Sequence, residues 1–150
     1  MKFLPMLIAA FVSLSAPVWA QARPANLYVC QGDKVAINYS TTGLTGHPTL
    51  TVQVGNTTIT RSGDDIRTED TVLGSLVTIV RRTIPDFLTD TLTLLVPAVN
   101  LTANTPDVTF TTSFFATRTL TSLGGPELVE GLIQRSTSQP VVCNAAGVIF

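Results

Sequence analysis

The sequence predicts an all-β fold, an antiparallel β-sandwich of immunoglobulin-like or jelly-roll-like type with about seven to nine strands. Apolar and polar residues alternate with a period of two through most of the chain. Threonine supplies 24 of the 150 residues, whereas charged residues make up only 13%. Because β-branched side chains fit a pleated, half-buried surface, this composition favours strands over exposed helices. Turn residues recur about every eight to twelve positions, as expected for short strands in one domain.

The strands of the first half are marked by alternation and by turn residues. Tyr28 and Cys30 lie on a short opening strand, and Gly55-Asn56 predicts a two-residue hairpin turn. The apolar positions that alternate in the next strands are Val35, Ile37, Tyr39, Leu50, Val52 and Val54. The more continuous apolar run from Leu73 to Thr83 predicts a strand covered on both faces.

The second half continues the same pattern. Leu92, Leu94 and Val96 alternate until Pro97, which closes or bulges their strand. The longest predicted strand is Asp107–Thr121, with Val108, Phe110, Thr112 and Phe114 on one face, and the last is Val141–Phe150. The one segment that could be helical is Pro126–Gln134, where a single turn or a strand edge is an equally good prediction.

The N-terminal segment predicts export. Lys2 precedes an apolar run from Phe3 to Leu14, and small residues allow cleavage after Ala20 or Ala22. We therefore expect residues 1–20 to be a signal peptide, residues 21–150 to be a single domain, and the location to be periplasmic or secreted. No later segment has the eighteen or so apolar residues that a spanning helix needs.

The two cysteines are predicted to form a disulfide bond. An exported protein meets an oxidising compartment, where such bonds persist. Cys30 and Cys143 lie near opposite ends of the mature chain, so their bond would join the first strand to the last. Cys-x-x-Cys spacing and a third or fourth zinc ligand are both missing from the sequence, which argues against redox exchange and zinc binding.

Charge and residue inventory argue against several functions. Loss of Lys2 leaves 8 Lys and Arg residues against 10 Asp and Glu residues, a net charge of about −2, which predicts no nucleic-acid partner. His47, the only histidine, lies in a predicted turn, and no Gly-x-Ser-x-Gly sequence is present. We therefore expect a protein that is not an enzyme and that uses no cofactor.

An acidic loop is the candidate for ion binding. Its four carboxylates are Asp64, Asp65, Glu69 and Asp70. Carboxylates and backbone carbonyls on a short loop are ligands for Ca²⁺, although a solvated polar loop is the favoured interpretation. The same carboxylates are the only basis for a hydrolase, and the mature chain would keep no tryptophan to stack on a sugar.

A glycine-rich loop is the candidate for contact with a partner. It consists of Gly124, Gly125, Pro126, Glu127 and Leu128, followed by bulky apolar residues. Such a loop suits a turn that leads into packed structure, and it also suits an apolar contact with another protein.

The phenylalanines of the longest strand and the dispersed arginines are assigned structural roles. Phe110, Phe114 and Phe115 are expected in the core, with a hydrophobic pocket between the sheets as the alternative. Arg81, Arg82, Arg118 and Arg135 are scattered along the chain and are assigned to the surface. Asn38, Asn56 and Asn100 are glycosylation acceptors only in a glycosylating host.

The opening strands carry a short resemblance. Tyr28–Gly32, followed by the alternating residues Val35, Ile37 and Tyr39, resembles the first strands of periplasmic inhibitors of C-type lysozyme over about a dozen residues. That family's inhibitory region resembles Ser-Gly-x-x-Tyr, and here Ile66 occupies the tyrosine position. No functional residue is carried over from that family.

Together these features predict an exported, non-enzymatic binding or structural protein whose partner is another exported or cell-surface protein. The alternative is a carrier of a small apolar ligand in a cavity between the sheets. A Ca²⁺-dependent binding module or a hydrolase is a weaker third prediction.

Overall fold

The computed structural model describes residues 22–83, 88–120 and 133–147, and it confirms the all-β prediction. The strands are β1 (Arg23–Pro24), β2 (Leu27–Gly32), β3 (Val35–Ser40), β4 (Thr49–Val54), β5 (Thr57–Ser62), β6 (Ile66–Thr71), β7 (Gly74–Thr83), β8 (Leu88–Val96), β9 (Asn100–Leu101), β10 (Asp107–Leu120) and β11 (Ile133–Ala146). A 3-10 turn over Gly63–Asp65 separates β5 from β6. Within the described ranges, no helix is long and apolar enough to span a membrane.

Nine strands form one antiparallel sheet in the order β5-β4-β3-β2-β11-β10-β8-β7-β6, and β1 pairs with β9 in a separate two-stranded sheet. Most strands of the large sheet therefore pair with their neighbours along the chain, and β2 pairs with β11. This order refines the immunoglobulin-like or jelly-roll-like prediction, because those folds use Greek-key connections. The architecture is sandwich- or barrel-like with next-neighbour connections.

The two edges of the large sheet are joined by the chain itself. Eight antiparallel pairings separate β5 from β6, so these two strands run in the same direction, and only Gly63–Asp65 lies between them. The segment thus bends from one half of the sheet to the other, as strands do at the corners of packed sheets. Gly63 adopts a φ of 60° at this bend, and its N–H donates to the carbonyl of Pro48 over 2.9 Å.

One core fills the space enclosed by the sheet. Alternate residues of β2, β3, β4, β7, β8, β10 and β11 point inward, as the period of two requires. The most fully buried side chains are Phe114, Ile37, Leu50, Ile79, Leu94, Val35, Val52, Val77, Val141, Cys30 and Cys143. Burying each large aliphatic or aromatic side chain contributes about 1.5–3 kcal/mol, so the core is the main source of stability.

Threonine pairs explain the composition of the outer face. The hydroxyls of Thr78 and Thr93 lie 2.9 Å apart on neighbouring strands, and those of Thr51 and Thr60 lie 3.0 Å apart. Cross-strand hydroxyl pairs of this kind each stabilise a sheet by about 0.2–1 kcal/mol. The many threonines therefore cover the outer face of the sheet and hold neighbouring strands together.

Cys30 and Cys143 form the predicted disulfide bond. They are directly opposed residues of β2 and β11, with Cα atoms 3.9 Å apart and a sequence separation of 113. The bond joins the second strand to the last, not the first to the last as predicted. The reason is that Arg23–Pro24 forms a short strand of its own, paired with β9.

Two local predictions are confirmed and two are corrected. The strand predicted over Leu73–Thr83 is not covered on both faces, because Val80 on its outer face is 39% exposed. Gly55-Asn56 connects β4 to β5 with Val54 opposite Thr57, and β8 ends just before Pro97. The last strand was predicted to begin at Val141, but it begins at Ile133 because β10 and β11 pair over fourteen residues each. The end of the helical candidate Pro126–Gln134 is therefore strand, and the rest of that candidate lies outside the described residues.

Two stacked tyrosines in the core predict a loss of stability at alkaline pH. Tyr28 and Tyr39, the only tyrosines of the chain, have ring centroids 5.9 Å apart. Burial raises the pKa of both phenols above the ordinary value of 10.0, and the neighbouring Tyr39 raises that of Tyr28 further. Because the folded-state pKa is the higher one, this contribution to stability is intact below about pH 10. It is lost as the pH rises through the folded-state pKa.

We expect the free energy of unfolding, measured by urea denaturation between pH 8 and about pH 11.5, to fall in the upper part of that range. Replacing Tyr39 with Phe keeps the ring and removes one ionisable group, so the fall should become shallower. Phenolate absorbance would follow the titration of these two residues alone. An identical pH dependence in wild type and Y39F would contradict the assignment.

Candidate functional site

A cleft of about 260 Å³ opens at the end of the sheet that carries the Gly55-Asn56 turn. Its lining comes from strands on both sides of the enclosed core: β4 and β5 on one side, and β7, β8, β10 and β11 on the other. The volume lies just below the range of roughly 300–1,000 Å³ that is typical of small-molecule sites. The cleft is therefore large enough for a small organic ligand or for part of a larger one.

Four charged residues on four neighbouring strands form one wall of this cleft. The sheet register places Arg81 opposite Asp90, Asp90 opposite Arg118, and Arg118 opposite Arg135. We refer to these four residues as the charged row. Since neighbouring strands are about 4.8 Å apart, the row extends over about 14 Å.

The charged row lies on the inward face of the sheet. Side chains two residues apart on a strand share a face. Arg81 therefore follows buried Ile79, and Arg118 follows Phe114 and Ala116 on the inner side of β10. Elsewhere in the sheet the inward positions of this alternation are apolar. At this end of the sheet, the same inward positions carry charged residues at the mouth of the core.

Asp90 is the buried centre of the row. It is 8% exposed and accepts two hydrogen bonds from Arg118, from Nε to Oδ1 over 2.6 Å and from Nη2 to Oδ2 over 3.1 Å. This hydrogen-bonded carboxylate raises the pKa of the Arg118 guanidinium above its usual value. A bidentate pair of this kind orients Arg118 and satisfies the carboxylate.

The other two arginines of the row have no such partner. Within the described residues, the side chains of Arg81 and Arg135 make neither a hydrogen bond nor an ion pair. Arg135 faces Arg118 directly, and like charges in that position destabilise a sheet. Among the described residues, three guanidinium groups against one carboxylate give this wall a formal charge of +2, in a chain whose net charge is −1.

The remaining lining residues are mainly apolar. Val54 and Ile59 face the row from the opposite side, and Leu92 and Ala116 form the floor beneath it. Thr57 and Thr137 add hydroxyl groups at the edge. The cleft therefore combines a cationic wall with an apolar floor, which suits a ligand that has an anionic group and an apolar body.

The scattered arginines were assigned to the surface, and Arg82, Arg118 and Arg135 are indeed exposed, with 58% of the Arg118 side chain accessible to solvent. The sequence did not show that Arg81, Arg118 and Arg135 line one cleft. The sequence does show that each of these arginines continues the buried alternation of its own strand. It does not show the register that aligns them on neighbouring strands.

The acidic candidates do not converge. Asp64 and Asp65 belong to the 3-10 turn, whereas Glu69 and Asp70 are consecutive residues of β6, whose side chains point to opposite faces. Asp70 accepts a hydrogen bond of 2.7 Å from Ser75. In the described part of the chain, no group of three or more His, Cys, Asp or Glu residues is arranged to hold a metal ion.

The glycine-rich candidate Gly124, Gly125, Pro126, Glu127 and Leu128 lies outside the described residues. His47 is described, and it is an exposed residue of the connection between β3 and β4. It does not line the cleft.

The aromatic residues separate into core and surface. Phe114 is 2% exposed, and Phe110 packs edge-on against Tyr28 with ring centroids 6.4 Å apart. Phe115 points outward and is 41% exposed. Neither Phe110 nor Phe114 lines the cleft at the charged row or a second, more polar cleft beside Lys34.

No protein-family model, curated protein or solved structure matches this chain. The class that the fold and the cleft define is an all-β, disulfide-bonded domain with a charged cleft at one end of its enclosed core.

Proposed function

We propose that this chain is an exported, non-enzymatic binding protein, and that its ligand is a small molecule held in the cleft beside the charged row. The observation that carries the proposal is that Arg81, Arg118 and Arg135 line one cleft at the mouth of the core together with the buried carboxylate of Asp90.

The pairing with Arg118 satisfies the buried carboxylate of Asp90, but stability gives no reason for Arg81 and Arg135 beside that pair. Apolar residues at the same positions would extend the core, and the opposition of Arg118 and Arg135 is unfavourable. Proteins usually depart from the apolar-inside pattern and from favourable charge pairing at functional sites, where binding compensates for the loss of stability. A row of inward charges at the mouth of an apolar core therefore supports a ligand site over a purely structural role.

The chemistry of the lining residues favours binding over catalysis. Guanidinium groups keep their proton in proteins, so the arginines can orient and neutralise an anion but are poorly suited to proton transfer. Asp90, the carboxylate of the wall, is held by Arg118. These are the properties of a recognition site.

The disulfide bond is compatible with an oxidising, exported location. Export itself is proposed from the predicted signal peptide over residues 1–20. Protein recovered from the periplasm or medium should have an intact mass that lacks the first 20 or 22 residues.

Thermal-shift measurements test the cleft. A panel of small molecules should include neutral, singly charged and doubly charged compounds that carry an apolar group. At a concentration of about 100 Kd a ligand stabilises the folded state by about 2.7 kcal/mol, so at least one compound should raise the Tm of the wild type by several degrees.

A pair of tryptophan variants localises any shift. Ala116→Trp fills the floor of the cleft and should abolish the shift, whereas Ser138→Trp places the same side chain on the outer face of β11 and should preserve it. The proposal fails if no compound shifts the wild type, or if A116W responds as well as S138W.

A further inference from the structure

We infer that the cleft recognises a doubly charged, phosphate-type head group attached to a small apolar body, a chemistry exemplified by an aryl phosphate monoester. This inference rests on the proposed function, and it assigns the ligand class and the residues that bind the head group. Arg81 and Arg135 are the binding residues, and Arg118 is paired with Asp90.

The charge balance of the wall points to a dianion. Arg118 and Asp90 neutralise each other, which leaves, among the described lining residues, one positive charge on Arg81 and one on Arg135. A phosphate monoester carries a charge of about −1.5 to −2 at neutral pH and offers three acceptor oxygens. It therefore matches both the charge and the number of acceptors better than a single carboxylate does.

The donor geometry is also available. Arg118 directs Nε and Nη2 to Asp90, so its fork is largely occupied. Among the described residues, no side chain occupies the guanidinium forks of Arg81 and Arg135, and such forks bind phosphate and carboxylate oxygens bidentately. Both arginines line the same cleft, at the two ends of the charged row.

The apolar floor of the cleft indicates that the rest of the ligand, beyond its charged head group, is apolar. Leu92 and Ala116 lie below the row, and Val54 and Ile59 lie across from it. An apolar body attached to the head group would cover these side chains and exclude water from the ion pairs, which strengthens them. Inorganic phosphate lacks this part and should bind more weakly than phenyl phosphate.

Calorimetric titration with phenyl phosphate, inorganic phosphate, benzoate and phenol tests the assignment on the exported, disulfide-bonded protein. Phenyl phosphate should bind most tightly, and its affinity should fall as salt is added because charges carry the recognition. If benzoate or phenol binds as tightly as phenyl phosphate, the inference that the head group is a dianion is wrong. If inorganic phosphate binds as tightly as phenyl phosphate, the inference that the ligand has an apolar body is wrong.

Two double variants of equal charge change supply the matched comparison. In Arg81→Gln/Arg135→Gln the head group loses both partners, so the affinity for phenyl phosphate should fall about tenfold or more. Arg67→Gln/Arg82→Gln removes the same two charges from exposed positions on β6 and β7 and should change the affinity little. Equal losses in the two variants would mean general electrostatic attraction and would contradict the site.

A stability readout separates binding from a structural role. Because Arg135 opposes Arg118, Arg135→Gln should leave the Tm unchanged or raise it. A marked fall in Tm would mean that Arg135 stabilises the fold, and it would contradict its role as a binding residue.

If Ala116→Trp abolishes binding of benzoate or phenol while phenyl phosphate does not bind, the proposed function stands and only this inference fails. If none of the four probes and no panel compound binds, both fail.

Discussion

Replacing both Cys30 and Cys143 with alanine is expected to lower the free energy of unfolding by up to about 4–5 kcal/mol. The bond closes a loop with a sequence separation of 113 residues, so its loss frees a long stretch of the unfolded chain. The folded state should change little, because five register pairs between β2 and β11 keep these strands adjacent. Against a typical total of about 5–15 kcal/mol, this loss is a large part of the stability.

Urea denaturation of wild type, reduced wild type and the double variant measures the effect. Reduced wild type and the variant should have similar midpoints, both well below that of the oxidised protein. The denaturant dependence should steepen in both, since an uncrosslinked unfolded chain exposes more surface. A difference of less than about 1 kcal/mol would show that the bond contributes little beyond the sheet pairing.

Phe114→Ala is the second large effect, with an expected loss of about 3–5 kcal/mol in the free energy of unfolding. Phe114 is 2% exposed and is the largest of the fully buried side chains. Removing its ring loses the transfer free energy of the aromatic group and leaves a cavity that the surrounding strands fill only partly. The protein should still fold, but with a much lower denaturation midpoint.

Phe115→Ala is the matched control, because it removes the same side chain from the next residue. Phe115 points to the outer face and is 41% exposed, so the expected loss is smaller, about 1 kcal/mol or less. Comparable losses in F114A and F115A would mean that the inward and outward faces of β10 are wrongly assigned.

The strands were predictable where the sequence pattern is local. Alternation placed Val35, Ile37 and Tyr39 on one face, and all three are buried. Gly55-Asn56 predicted a hairpin because a two-residue turn needs such residues, and Gly55 has a φ of 57°. These features depend on neighbours within a few positions, so the sequence carries them directly.

The charged row was not predictable in this way. Arg81 and Arg135 are separated by more than fifty positions, and two intervening strands bring them into line. A shift of one residue in any register would turn a side chain of the row to the other face of the sheet. Register depends on how all the strands pack together, which no local pattern specifies.

The sequence by itself determined the class of fold, the turn positions and the pairing of its two cysteines, because period, turn chemistry and cysteine count are local or compositional properties. Only the tertiary structure decided that β10 and β11 pair over their full length, that β2 carries the disulfide, and that the bend at Gly63 joins the edges of the sheet. It also decided that three dispersed arginines line one cleft together with Asp90. The physical reason is that long-range strand pairing and packing set these contacts together.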